Sequence, residues 1–530
     1  LASVSTHSYT VTARDAYDNP VIGAAVVLTA SGTGNALTQP VSPTDNGGVA
    51  TGAFSSTVAE AKTVAASVGG IGVTQTAAVT VTPAVNGILV FTVQPATGVA
   101  GVAIAPAVRV AVRDAFGNTF TSFSGNVTIG LGANPGGDIL TGATTKAAVA
   151  GEATFADLRL VKAALGYTLT AAAGGITGGT SSPFNITAGP VSAAQSSVAA
   201  APPGITASTG ASASTITATA RDAFNNAVPG ATVALAATGL GNSLTQPAGP
   251  TNASGTATGT ISSTVSGTKT VSATLNGVLV TQQPIVTVSP AGVAASLSSV
   301  AASPSTIDAS FGGVTSTISV TAKDTFGNVI PGLAVILTAT GSGNTLSLPA
   351  STDVNGVASG TLSSTVAGLK VVSASVTGIP IPQTATVTVV PGEVSASQSS
   401  VVAAPASITA STGTSPATIT VTARDEQGNA IPNLNVVLVA TGASNTITQP
   451  TGPTGANGVT TGTLSSTLAG ARIVSVTIDG TGIDQTDTVT VTAGLPSNQG
   501  FLVQPTSMTV GTTMAPAVQV EIRDQFGNRV

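Results

Sequence analysis

The chain has 530 residues, of which 7% are charged, with 15 Lys and Arg against 20 Asp and Glu, a net charge of −5, one histidine and no cysteine. The lack of cysteine excludes disulfides, thiolate metal sites and cysteine nucleophiles, and the few scattered basic residues argue against nucleic acid as a partner. No apolar stretch reaches the roughly 18 uninterrupted residues of a membrane helix, because Thr, Ser, Gly, Pro or a charge always intervenes, so no segment is expected to insert into a membrane.

One signature recurs six times: a basic residue and an aspartate, with an asparagine four positions after the aspartate. The copies are Arg14-Asp15…Asn19, Arg113-Asp114…Asn118, Arg221-Asp222…Asn226, Lys323-Asp324…Asn328, Arg424-Asp425…Asn429 and Arg523-Asp524…Asn528. The aspartates are spaced by 99, 108, 102, 101 and 99 residues, about the length of one small β-sandwich, which predicts a tandem array.

Strands with one buried face are predicted ahead of each motif. Tyr9, Val11 and Ala13 share a parity, as do Ile318, Val320 and Ala322, and Ile419, Val421 and Ala423, with Thr or Ser mostly between them. The same parity places the motif's Arg or Lys in solvent and its Asp inward at the strand end, where the carboxylate can accept turn amide hydrogens. Three residues after Asp stands Asp18, Gly117, Asn225, Gly327, Gly428 or Gly527, all types that tolerate positive φ. Two residues after it stands Tyr17, Phe116, Phe224, Phe326, Gln427 or Phe526, an aromatic in five copies and the expected cover of the turn. Helical periodicity is absent throughout.

Two repeat types separate. The first, around Asp15, Asp222, Asp324 and Asp425, continues with a Gly-x-Gly-Asn-like turn, as in Gly32 to Asn35 and Gly341 to Asn344. It then has a Thr-to-Gly turn (Thr44 to Gly47, Thr251 to Gly255, Thr352 to Gly356, Thr454 to Gly458) and a Ser-Ser-Thr strand beginning at Ser55, Ser262, Ser363 and Ser465. Seven residues on comes Lys62, Lys269, Lys370 or Arg472, expected to face solvent. The second type carries Gln94-Pro95 and Pro106-Ala107-Val108 before Asp114, echoed 410 residues later by Gln504-Pro505 and Pro516-Ala517-Val518 before Asp524.

The first type resembles the bacterial Ig-like domain group 1 of invasin- and intimin-type adhesins. The residues that carry the resemblance are the run Ala220 to Gly230, the Asn355-Gly356-Val357 turn and the Ser-Ser-Thr-Val-Ala-Gly strand from Ser363 to Gly368. The second type is similar, more weakly, to Ig-like repeats of very large bacterial surface proteins. The fold class expected is all-β, a tandem array of Ig-like β-sandwich domains in an elongated rod. Group 1 type domains are expected at 1–82, lacking an opening strand, and at 189–289, 290–390 and 391–492. Domains of the second type are expected at 83–188 and, truncated, at 493–530. In chain order these are the first to sixth repeats. The chain opens within a repeat and is expected to be a segment of something longer.

By resemblance the chain is extracellular, cell-surface stalk or filament material and no enzyme. The alternative is an adhesive module in which loops at the sandwich ends recognise a carbohydrate or host protein. His7 is the single histidine, so a His-based triad or metal site has little to build on. Calcium on the repeated Asp is the lesser reading, because no dense Asp run resembles a calcium loop and turn capping accounts for Asp, Gly and Asn together. No cofactor is expected. The sequons at Asn126, Asn185 and Asn252 matter only where asparagine is glycosylated. An isopeptide bond from the strand lysines needs a nearby buried acid, and glutamates are few. Long Thr, Ser and Ala surfaces of low charge point to self-association into a fibre, with donor-strand exchange at the truncated ends as one route.

Overall fold

The computed structural model describes residues 1–530, all strand, turn and loop with no helix. The chain forms two compact units, Leu1–Ser289 and Pro290–Val530, each a succession of packed sheet pairs, the second ending in a single two-stranded sheet of Pro496–Val503 and Gln519–Asp524.

The fourth repeat shows the design shared by the third and fifth. One sheet orders its strands Ser299–Ser303, Ser316–Thr321, Val357–Ser364 and Asn344–Leu346; the facing sheet orders Thr306–Asp308, Ala385–Val390, Gly368–Val376 and Val335–Ala339. Pairing is antiparallel except that Thr306–Asp308 runs parallel to Ala385–Val390. The alternation in Ser316–Thr321 works as read from the sequence: Ile318, Val320 and Ala322 are fully buried between the sheets, and Thr317, Ser319 and Thr321 point away. Val372, Val376 and Val387 close the core from the other sheet. Each fully buried Val or Ile contributes about 1.5–3 kcal/mol, so a repeat with some seventeen buried apolar side chains holds its own interior.

The second repeat departs from this pattern. Its larger sheet has seven strands, from Thr145–Ala147 round to Glu152–Phe155, joined through a parallel bridge between Thr177 and Ile88. Its core holds Phe91, Phe155, Tyr167 and Phe184, where the fourth and fifth repeats use Val, Ile, Leu and Ala. In the first repeat three strands face four, and the core divides into one cluster around Phe54 and another around Leu28, with Tyr9 touching both.

Each first-type repeat is pinned by one buried threonine. Thr251 Oγ1 donates to the Val228 carbonyl at 2.7 Å and accepts the Ala231 amide at 2.9 Å, and Thr44, Thr352 and Thr454 repeat the arrangement. The glycine that ends this turn has positive φ at Gly255, Gly356 and Gly458. In the first repeat the position is held by Gly48 rather than the expected Gly47. A Cβ there would lie 2.5–2.9 Å from a backbone oxygen, as at Ala220 for Gly255.

The strand cations correct the expectation from sequence. Lys62, Lys269, Lys370 and Arg472 are only 2–4% exposed, not solvent-facing. Lys269 shares inward parity with Val271, Ala273 and Leu275, so its stem lies in the core. Its ammonium donates to the Leu240 carbonyl at 2.8 Å, inside the Gly-x-Gly-Asn turn. Lys62 and Lys370 reach the matching carbonyls of Thr33 and Ser342 at 2.7 and 3.0 Å. Lys62 adds an ion pair with Glu60 at 2.6 Å, and the Arg472 guanidinium bonds Asn445 Oδ1 at 2.8 Å. The turn glycines make room: a Cβ on Gly239 would stand 3.2 Å from the Lys269 nitrogen. Burial lowers the pKa of Lys370.

Candidate functional site: the inter-repeat latch

Each Asp-to-Asn motif folds as a tight loop after its strand. In the third repeat the Asp222 amide donates to the Asn226 carbonyl at 3.0 Å and the Asn225 amide to the Asp222 carbonyl at 3.1 Å, with Asn225 at φ 65°. Asp18, Gly117, Gly327, Gly428 and Gly527 take the same left-handed conformation. Asp222 Oδ1 accepts the amides of Phe224 and Asn226, both at 2.9 Å, which fixes the loop.

Oδ2 of the same carboxylate faces the linker. It accepts the Gly189 amide at 2.8 Å and the Asn226 side-chain amide at 2.8 Å. The linker residue is Ala84 for Asp114, Ala291 for Asp324, Gly392 for Asp425 and Gly494 for Asp524, at 2.8–3.0 Å. The asparagine side chain then crosses to the preceding repeat. Asn226 Oδ1 accepts the Ala163 amide at 2.9 Å, and its Nδ2 donates to the Val161 carbonyl at 2.7 Å.

The crossing recurs within both units. Asn118 holds Ala59 and Thr57, Asn429 holds Ala367 and Thr365, and Asn528 holds Ala469 and Thr467, with every bond between 2.7 and 2.9 Å. A carboxamide presents one acceptor and two donor hydrogens, so it can grip a backbone C=O and N–H together while a third bond ties it to aspartate. Thr57, Thr365 and Thr467 are the threonines of the Ser-Ser-Thr motif. Two motifs that sequence reading treated separately are thus the two halves of one joint. The signal was present: Ser-Ser-Thr-x-Ala precedes the next Asp-to-Asn motif at a near-constant distance, 61 residues from Thr57 to Asn118 and from Thr467 to Asn528.

Asp114, Asp222, Asp324, Asp425 and Asp524 are at most 2% exposed, whereas Asp15 lies in solvent, bonded to Tyr17, the Asn19 amide and the Asn19 side chain. Burial pushes the Asp222 carboxyl up, but N–H donors from the Asn226 side chain, Gly189, Asn226 and Phe224 outweigh it and hold the pKa below the ordinary value. The balance is the same at Asp114 and Asp324, and at Asp524 it brings the pKa to about 2. A carboxylate ringed by N–H donors is arranged to hold backbone, whereas a hard cation requires a shell of oxygens.

The aromatics do not all cover their own turns as expected. Tyr17 is 87% exposed; Phe224 instead lies on Gly101 of the preceding repeat, where a Cβ would come within 2.3 Å of its ring, and Phe526 packs against the core of the fifth repeat. Phe224 and Phe526 thus belong to the joint.

The family model described as "Invasin, domain 3" matches residues 192–291 and 395–494, and that described as "Bacterial Ig-like domain (group 1)" matches residues 3–82 and 298–390. Among solved structures the chain is similar to the Escherichia coli adhesin FdeC, at 27% identity over 57% of this chain and 99% of that one, with a TM-score of 0.43. It is also similar to Yersinia pseudotuberculosis InvD, at 22% identity over 56% and 98% with a TM-score of 0.41. For invasin, described as a bacterial integrin-binding protein, the identity is 18% over 79% and 82%, with a TM-score of 0.40. The first and fourth repeats of this chain therefore belong to the bacterial Ig-like domains (group 1), and the third and fifth to the domains of invasin domain 3 type, arranged in tandem.

Proposed function

We propose that the chain is the repeat section of a bacterial cell-surface adhesin-type protein and acts as a spacer, without catalytic chemistry of its own. The family matches support the class. The observation that carries the spacer role is the latch: Asn118, Asn226, Asn429 and Asn528 each fasten one repeat to the backbone of the one before it. Short linkers alone leave neighbouring domains free to swing. A buried carboxylate that fixes the linker, with a carboxamide that grips the neighbour, removes that freedom at little cost in sequence. Each of the first five repeats also keeps its own core, so stability is close to a sum of local terms and tension on one joint need not open the next sandwich.

Small-angle scattering on the 530-residue chain and on a variant with Asn118, Asn226, Asn429 and Asn528 all changed to Ala tests the spacer role. The variant should keep its β circular dichroism and show a broader distribution of dimensions. Identical scattering curves would remove the latch from the mechanism. Labelling of intact cells with an antibody to the chain tests the surface location.

A further inference from the structure

In the first, third and fifth repeats a glutamine reaches across from the opposite sheet to an outer strand and occupies both backbone groups of its central leucine. Gln39 Oε1 accepts the Leu28 amide at 2.7 Å and Gln39 Nε2 donates to the Leu28 carbonyl at 2.9 Å. Gln246 does the same to Leu235 at 2.7 and 2.9 Å, and Gln449 to Leu438 at 2.8 Å for both bonds. The carboxamide stands where another strand would pair, so it plugs the edge, and a sheet edge without such protection is a template for another chain. The plug is used even on the strongly apolar strand Val436–Ala440.

In the fourth repeat the plug is missing. The glutamine position, identified by the following proline (Gln39-Pro40, Gln246-Pro247, Gln449-Pro450), is Leu348-Pro349, and Leu348 is 73% exposed. The strand it should guard, Val335–Ala339, ends its sheet, pairs only with Gly368–Val376, and has Leu337 at the plugged position. Its outward side chains, Ile336 at 55% exposure and Thr338, are both β-branched. No charged residue occurs from Val335 to Ala350.

We propose that the open edge of Val335–Ala339 pairs antiparallel with the same strand of a second copy of this chain, about a two-fold axis at Leu337. The register then follows. Leu337 meets its own counterpart and Val335 meets Ala339, giving about six backbone hydrogen bonds in an antiparallel ladder. Ile336 faces Thr338 of the other copy on the outer surface, the kind of β-branched cross-strand pair that stabilises sheets. A second copy suits the edge because the contact is self-complementary and no charge on either side opposes it. The exposed Leu348 of each copy flanks the new ladder, where it can be covered.

Sedimentation velocity on the full 530-residue chain across a wide concentration range tests the proposal. The expected result is a concentration-dependent doubling of mass that is lost in Leu348→Gln, which restores the plug found in three other repeats. Thr338→Lys, which places a charge on the outer edge, should also abolish the dimer, and in the unsubstituted chain hydrogen exchange at Leu337 should slow as the protein concentration is raised and the dimer forms. An unvaryingly monomeric chain, or a dimer that survives both substitutions, overturns it. Unchanged thermal melting of the variants separates loss of pairing from loss of folding.

Discussion

The side chain of Asn226 and the carboxylate of Asp222 share a hydrogen bond of 2.8 Å, and that bond joins an intradomain turn to an interdomain contact. Asp222 spends Oδ1 on its own loop and Oδ2 on the linker and on Asn226. Asn226 spends its remaining capacity on Ala163 and Val161 of the preceding repeat. Neither residue completes the joint alone.

Asn226→Ala should therefore loosen the joint more than it destabilises the sandwich. Loss of hydrogen bonds at a partly buried site costs about 1–3 kcal/mol. The sharper readout is hydrogen exchange at Ala163, whose amide loses its acceptor and should exchange faster while core amides such as that of Ile216 hardly change.

Acid should open the joints within a defined window. The carboxyls of Asp114, Asp222, Asp324 and Asp524 titrate below their ordinary value when folded, whereas an unfolded Asp titrates near 3.9. Their stabilisation is complete above that unfolded pKa and is lost as pH falls through the folded one, between about 4 and about 2 for Asp524. Melting temperature should be insensitive to these groups near neutral pH and fall steeply below about pH 4. Asp222→Asn, which cannot ionise, should flatten part of that fall.

Thr251→Val removes a buried hydroxyl that serves both the Val228 carbonyl and the Ala231 amide. The isosteric valine fills the space and leaves both backbone groups unpaired, so a loss of about 1–3 kcal/mol is expected in chemical denaturation. Thr251→Ser should recover most of it.

Gly255→Ala combines a left-handed φ of 76° with a Cβ placed 2.6 Å from the Ala220 oxygen. Strain at such a position costs on the order of 1–3 kcal/mol before the clash is counted. Gly277→Ala, also at positive φ but in open space, should cost less, and the difference between the two melting curves measures the contact.

The buried cations give a graded test. Lys370 has one protein partner for its ammonium, whereas Lys62 has the Thr33 carbonyl and Glu60. Lys370→Met keeps the apolar stem and relieves the desolvation of the charge, so a change within about 1 kcal/mol is expected. Lys62→Met should be costlier by the loss of the Glu60 pair. Because burial lowers the Lys370 pKa, ionisation opposes folding below that value. Stability of the fourth repeat should rise as pH climbs from the folded pKa toward the unfolded one, near 10.4.

Much of this molecule is written locally. Parity in segments such as Thr317 to Ala322 determines which side chains enter the core, because a strand's side chains alternate whatever lies around it. The Asp-to-Asn loop is equally local, since the carboxylate, the amides it caps and the residue at positive φ lie within five positions. Lys269 is legible too: its parity with Val271 and Leu275 marks it as inward, although lysine as a residue type is mostly exposed.

What the chain alone could not convey is which distant segments those local pieces meet. That Asn118 grips Thr57, or that Gln39 plugs the edge at Leu28, depends on how two sheets and two repeats stack, and a carboxamide carries no mark of the backbone it will bind. Sequence determined the strands, the turns and the repeat. Tertiary structure decided the joints between repeats and which sheet edge was left open, because hydrogen bonds across long separations are specified by packing and not by neighbours along the chain.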